Sequence, residues 1–431
     1  MGCNRNCGLL TGTIIGAALA ILGGILIPVG NNLIEDTVKK ETVIEKGTTA
    51  YENFVVAGSP IYRQFWLFDV QNPEDVMANG SAPILQQKGP YTYRMRYKPK
   101  EKITEHEDGT LSYFQRNIFL FEPEMSVGTE NDNVTTVNLA VVAAPVLYPD
   151  VVGLLNMFIQ QSKSKFLQTR TVKEILWGYE DPFLKSIPIQ GIDKVVGVFY
   201  PFNDTSDGPY RIYSGKNNIS QTGIIHSYKN NRSISAIFDT ENTVKEILLY
   251  RFPISPKAFA SLDINPDNIC FCTEMELSRN CSLRGILDVS SCKGGKPVYI
   301  TLPHFLEASE ELFQFVEGLK PNMEEHMTFV DVEPITGLTM HFAKRLQINL
   351  LVQPNSKITV LKNIKQHFLF PILWLNETAV ISDEKAELFR SKVTDKIKLL
   401  NIMQILLITL GCVMFLGFLI AFFACRRKTS K

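Results

Sequence analysis

The chain has 431 residues, with 44 Lys and Arg against 44 Asp and Glu, so its formal charge at pH 7 is zero. That balance creates no global field for nucleic acid, and no nucleic-acid partner is expected. It also excludes a strongly acidic or basic disordered chain.

Residues 8–30 carry no charge, and neither do residues 399–424. Each run exceeds the roughly 20 apolar residues that cross a bilayer as a helix. Arg5 and the amino group precede the first run, and Arg426, Arg427, Lys428 and Lys431 follow the second. The first run is followed instead by Asn31, Asn32, Glu35 and Asp36. Excess positive charge marks the cytosolic flank. The expected layout is therefore a cytosolic segment 1–7, a span 8–30, an extracellular ligand-binding domain 31–398, a span 399–424 and a cytosolic tail 425–431. A cleaved signal peptide is the alternative for the N-terminus. The apolar run is too long for a signal core, and Gly23, Gly24 and Pro28 make no small-residue exit site. Gly8, Gly12, Gly16 and Ala20 recur every fourth residue in the first span. Such spacing suits close helix approach, either to the second span or in a homo-oligomer.

Cys3, Cys7 and Cys425 flank the spans on the cytosolic side and are candidate palmitoylation sites, with inert thiols as the alternative. Cys412 lies inside a span and reads as a small apolar residue. Met1-Gly2 does not make a myristoylation signal, because Asn6 stands where Ser or Thr is required.

Seven glycosylation sequons start at Asn79, Asn133, Asn203, Asn218, Asn231, Asn280 and Asn376, all between the spans. Within residues 91–102, Arg94, Arg96, Lys98, Lys100 and Lys102 alternate with Tyr91, Tyr93, Met95, Tyr97 and Pro99. An extended strand would put the cations on one face, as an anion-binding stripe or as a solvated edge. The apolar stretch 151–159 precedes Lys163 and Lys165, with Arg170 and Lys173 beyond. A helical tip of this kind suits a long-chain carboxylate, with a greasy surface for the tail and ammonium groups for the head. An ordinary amphipathic helix packed on a sheet is the competing reading.

Strand signals dominate from residue 194: 194–200, 245–252, 298–302, 328–335 and 338–352. Leu346, Ile348, Leu350 and Val352 alternate as on a half-buried strand. Helices are expected over 31–46, 151–177, 305–317 and 383–399, the last capped by Ser382. The fold class is α+β. Cys270, Cys272, Cys281 and Cys292 lie in the oxidising lumen and are expected to form disulfides. Four cysteines allow three pairings. Their spacing makes no zinc knuckle.

No catalytic signature is present. The six histidines form no HExxH, no GxSxG occurs, and KGGKP at 293–297 lacks the rest of a phosphate loop. No enzyme and no cofactor are expected.

Several segments together resemble the class B scavenger receptors: MGCNRNCGLL at the start, QFWLFDVQNPEDV at 64–76, QKGPYTYR at 87–94, LWGYEDPF at 176–183, NPDNICFCTE at 265–274, the stretch 331–354 and ILWLNET at 372–378. The resemblance covers nearly the whole chain. It implies an antiparallel β-barrel ectodomain with a helical bundle at its apex and an internal lipid tunnel toward the membrane. It implies binding of long-chain fatty acids, oxidised lipoprotein, thrombospondin and collagen, with fatty acid uptake. Signalling would run through Src-family kinases and innate immune receptors. By this resemblance Lys163 and Lys165 sit in the ligand-capturing apex, and segment 93–120 is the thrombospondin region. The implied location is the plasma membrane, in lipid rafts or caveolae. An intracellular trafficking receptor is the rival, but the tail CRRKTSK holds no acidic dileucine.

Two departures stand out. Phe423 replaces a further cysteine that the family carries two residues before Cys425. Near Asn231-Arg232-Ser233, about forty family residues have no counterpart. The absent piece carries two cysteines of the family's bridges. By resemblance Cys272–Cys281 keeps its partner, whereas Cys270 and Cys292 lose theirs and either bridge each other or stay free. Losing one native bridge commonly costs about 2–5 kcal/mol. Impaired folding and retention in the endoplasmic reticulum are therefore expected of this short form.

Overall fold

The computed structural model describes residues 5–56, 59–95, 98–228 and 236–429. Its two ends are long helices, Arg5–Thr42 and Asp395–Thr429. Among the described residues, the helical stretches long and apolar enough to cross a membrane are Cys7–Asp36, inside the first helix, and Asp383–Arg426, which begins ahead of the second and runs into it. The small residues of the first face the second. A Cβ on Gly16 would fall inside van der Waals contact of the Phe415 backbone nitrogen and 2.9 Å from the Gly411 carbonyl oxygen. Gly12 lies under the Phe418 ring, and Gly411 abuts Ala20. Gln404 Nε2 adds a 2.9 Å bond to the Leu26 carbonyl. Of the two associations expected for the glycine stripe, the structure makes the one with the chain's own second span.

Ser382 caps the helix Asp383–Phe389 by accepting from Lys385 N, with Asp383 and Glu384 in the first turn. This helix runs through the wide turn Arg390–Thr394 into the second span. The first helix continues beyond its span to Thr42, close to the expected end at 46.

Between the spans lies a ten-stranded sheet. Its order is Thr240–Val244, Ile247–Pro253, Phe329–Val332, Thr339–Val352, Phe368–Val380, Ile61–Val70, Leu85–Met95 and Leu120–Phe121. Val298–Thr301 joins Thr339–Val352 from the side and carries Leu287–Asp288. Every pairing is antiparallel. A separate four-stranded sheet runs Ile225–Tyr228, Thr205–Tyr213, Thr110–Asn117 and Glu101–Glu105. The α+β class stands, but the expected barrel does not: among the described residues the sheets stay open. The free edge strand Thr240–Val244 comes directly after the junction where the family residues have no counterpart.

The central strands are covered on both faces, which alters the expected alternation. Gln347 and Asn349 are fully buried, while Leu346 and Ile348 are only half-buried. The buried amides are satisfied internally. Gln347 Oε1 accepts from His304 N at 2.7 Å, its Nε2 donates to Asn349 Oδ1 at 2.8 Å, and Asn349 Nδ2 donates to Thr301 Oγ1 at 3.1 Å. A polar pair can occupy the inner face only because each group finds a partner. Trp66 and Trp374, opposite each other in adjacent strands, stack at 3.8 Å.

Three further expectations are corrected. Residues 305–317 make no α-helix but two 3₁₀ turns, Pro303–Phe305 and Glu310–Phe315, because His304, Phe305 and Glu307 take positive φ. Residues 194–200 keep only the short strand Val195–Val196. The helix expected over 151–177 divides into Val152–Gln161 and Val172–Trp177, with the strand Leu167–Thr171 between.

Candidate functional site

The apex is built by two helices, Leu139–Leu147 and Val152–Gln161, bent by 103° at Pro149. Asn138 opens the first by accepting from Val141 N. Proline drives the residue before it out of the helical region, and Tyr148 accordingly sits at φ −133°, ψ 64°. The stretch 151–159 is apolar nearly all round, more than one face can bury. Val152, Leu155, Phe158 and Ile159 enter the main core. Val151, Leu154 and Met157 form a second stripe that stays outside, 44–49% exposed, beside Tyr148 at 54%.

The helix ends where Lys163 adopts φ 55° and Ser164 N turns back to the Ile159 carbonyl at 3.1 Å. Lys163 and Lys165 are both exposed, with the half-buried Ser164 between them. No ion-pair partner for either lysine occurs among the described residues. The C-terminal end of a helix favours cations. Arg170 is differently placed, 3.7 Å from Glu174 and stacked over the Tyr179 ring.

The basic stripe does not form one strand face. Tyr91, Tyr93 and Met95 are buried on one side of Leu85–Met95, as alternation requires. Arg94 pairs with Glu122 at 3.0 Å. The strand ends at Met95, and Arg96 lies outside the described residues. Lys98 is exposed, Lys100 is tucked over the Phe54 ring, and exposed Lys102 stands over the Phe114 ring at the start of another strand. The cations divide between two sheets.

Cys272 and Cys281 are joined, as the resemblance implies. Cys270 and Cys292 are free and exposed, so of the two outcomes left open for them the structure takes the unpaired one. Cys7 and Cys412 are exposed, Cys425 is half-buried, and Cys3 lies outside the described residues. Asn79, Asn133, Asn203, Asn218 and Asn280 are exposed, and Asn231 lies outside the described residues. Asn376 is buried at 8% exposure, its amide donating to Gln64 Oε1 at 3.1 Å, so a glycan there would require that bond to open.

Two hollows stand out among the described residues. One of about 340 Å³ is lined by Glu276, Arg279, Glu311, Phe315, Lys365 and His367. The other, about 20 Å³, lies around Asn268, Phe271 and Tyr299. Neither is lined by a residue of the membrane helices, and the expected tunnel is not among them.

The fold and apex define a two-span membrane protein with a large antiparallel ectodomain and an exposed apolar and cationic tip. The model of the CD36 family matches residues 14–236 and 231–422, and the chain belongs to that family. Lysosome membrane protein 2 of Rattus norvegicus is 29% identical over 443 residues, covering 92% of this chain and 90% of that one. The Homo sapiens protein of the same name is 29% identical over 445 residues, with the same coverage. Scavenger receptor class B member 1 of Bos taurus is 28% identical over 454 residues, covering 93% of this chain and 87% of that one. These alignments are longer than the 431-residue chain itself, so the relatives carry residues without a counterpart here. The two family matches meet at 231–236, the junction inferred from the sequence.

Proposed function

We propose that the chain is a lipid-capturing receptor of the class B scavenger type, not an enzyme, which binds long-chain fatty acids and oxidised lipoprotein at its apex and promotes fatty acid uptake. The observation that carries this reading is the outward stripe Val151, Leu154 and Met157 ending at two exposed lysines, Lys163 and Lys165. An acyl chain lying on that stripe loses water contact at about 25 cal/mol per Å². An anionic head at Lys163 and Lys165 gains charge-assisted hydrogen bonds. Binding of thrombospondin and collagen belongs to the same proposal, with Arg94, Arg96, Lys98, Lys100 and Lys102 as its basic contacts. Partner-dependent signalling, palmitoylation at Cys3, Cys7 and Cys425, and residence in plasma-membrane rafts are its further parts.

The test is uptake of labelled fatty acid by cells expressing the chain or its Lys163→Ala/Lys165→Ala variant at equal surface level. The proposal expects uptake to fall to near the untransfected background while thrombospondin binding persists. Unchanged uptake would leave a receptor without lipid transfer.

A second reading has its own support, because relatives named for the lysosome membrane match as well as those named scavenger receptors. Under it the chain is a trafficking receptor of that compartment. Colocalisation of a tagged chain with lysosomal or surface markers separates the two, and retention in the endoplasmic reticulum is the outcome expected of impaired folding.

A further inference from the structure

We propose that Glu274, Glu276 and His367 form a site for a first-row transition metal, zinc in particular. A carboxylate oxygen from each glutamate and an imidazole nitrogen lie within 4.8 Å of one another. A tetrahedral zinc ion with bonds near 2 Å holds its donors roughly 3.4 Å apart. Small side-chain rotations therefore close the set. One nitrogen with two carboxylate oxygens suits zinc, whereas calcium and magnesium favour oxygen alone.

The donors are positioned by the fold. Both glutamates lie in the loop that the Cys272–Cys281 disulfide closes across nine residues. Glu274 is anchored there, Oε1 accepting from Glu276 N at 2.8 Å and Oε2 from Leu277 N at 2.7 Å. Each of these oxygens keeps a further lone pair for a metal. His367 arrives from a distant part of the chain, immediately before the strand Phe368–Val380. Its Nδ1 stands 2.8 Å from Glu276 Oε2. Glu276 and His367 also line the hollow of about 340 Å³, which leaves room for water to complete a metal's shell.

The neighbouring charges leave the site anionic. Arg279 is taken by Glu311 at 3.0 Å. Exposed Lys365 is the other cation lining the hollow, against the two glutamate ligands. The segment that carries His367 also carries Thr359, whose N–H donates to Asn156 Oδ1 at 2.9 Å and whose hydroxyl accepts from Gln160 at 2.8 Å on the apical helix. Zinc at His367 would thus tie the disulfide loop to the segment that supports the apex. The proposal does not depend on the apex binding lipid.

The experiment is zinc titration of the full chain in detergent micelles, read by competition with a chromophoric zinc indicator and by thermal shift. The wild type should bind one equivalent and gain thermal stability. His367→Ala and Glu276→Gln should bind about tenfold more weakly or worse and lose the thermal gain, while His226→Ala behaves as wild type. Glu276 is 72% exposed, so its variant decides the matter if His367→Ala does not fold. Absence of zinc binding in the wild type, undiminished binding in Glu276→Gln, or an equal loss in His226→Ala would each overturn the site and leave Glu276 and His367 a simple ion pair.

Discussion

His304 and His326 stack at 4.5 Å beneath Trp374 and are nearly fully buried. His304 Nδ1 accepts from Lys320 N at 3.0 Å, and its Nε2 stands 2.6 Å from Gln87 Oε1. Burial, and then the neighbouring His326, push the His304 pKa from 6.5 down to about 3. Burial likewise lowers that of His326. Both rings are neutral in the fold and bind protons more readily when the chain unfolds. The contribution of His304 is therefore complete above about pH 6.5 and is lost as pH falls toward 3, and His326 acts in the same direction. At pH 5 the loss from His304 is about 2 kcal/mol. Thermal melts should show lower stability at pH 5 than at pH 7.4, and His304→Asn should flatten that difference. An equal pH slope in the variant would contradict the assignment.

Asp331 is fully buried, and Arg251 meets it with two bonds of 2.7 Å, with His341 at 3.0 Å. Burial is the largest influence on Asp331 and opposes its charge, but the bonds and charge of Arg251, the bond from Asn242 and the nearby His341 together keep the carboxyl below its ordinary range. Asp331→Ala leaves that guanidinium without its acid and should cost about 3–5 kcal/mol. Chemical denaturation would show it. None of these histidine and aspartate partnerships was legible in the sequence, because each joins residues of different elements and no local motif marks them.

At the scale of elements, the spans were the easiest features to read, since a long uncharged run has few alternatives. The sequence could not choose between an oligomer and an internal pair, because four-residue spacing serves both. The structure commits Gly16 and Gly411 to the internal pair. Gly16→Leu should therefore separate the spans, lowering the yield of a disulfide engineered between them in membranes. Gly8, with nothing near its missing Cβ, should accept the same change. The strand at 338–352 was legible in extent but not in facing, because Gln347 and Asn349 turn inward to partners that only the tertiary fold supplies. Residues 305–317 carry a helical apolar spacing that positive φ at three residues overrides. The apex was legible in composition. Its outward stripe is visible in retrospect as an excess of apolar positions over one helix face.

At the scale of the molecule, the chain differs from the class expectation in its open sheet and has two free thiols. Class resemblance implied a closed barrel. The chain's two family matches meet at 231–236, and the edge strand Thr240–Val244, paired on one side only, follows in the sequence. Cys270 and Cys292 are free and exposed, while Cys272 and Cys281 are joined. Maleimide labelling of the non-reduced chain should find both Cys270 and Cys292, and peptide mapping that joins them would contradict the open state. Endoglycosidase H sensitivity with no surface signal would show the short form retained. Resistance with surface signal would show it exported, and no glycan shift with either endoglycosidase H or peptide-N-glycosidase would overturn the two-span topology.

Lipid held at the apical helix and its two lysines is the central expectation for this molecule. Photoactivatable long-chain fatty acid, cross-linked to the full chain in membranes and mapped by mass spectrometry, tests that directly. Adducts within residues 148–166 that vanish in Lys163→Ala/Lys165→Ala are the predicted result. Adducts distributed elsewhere, or unchanged by loss of both lysines, would contradict it.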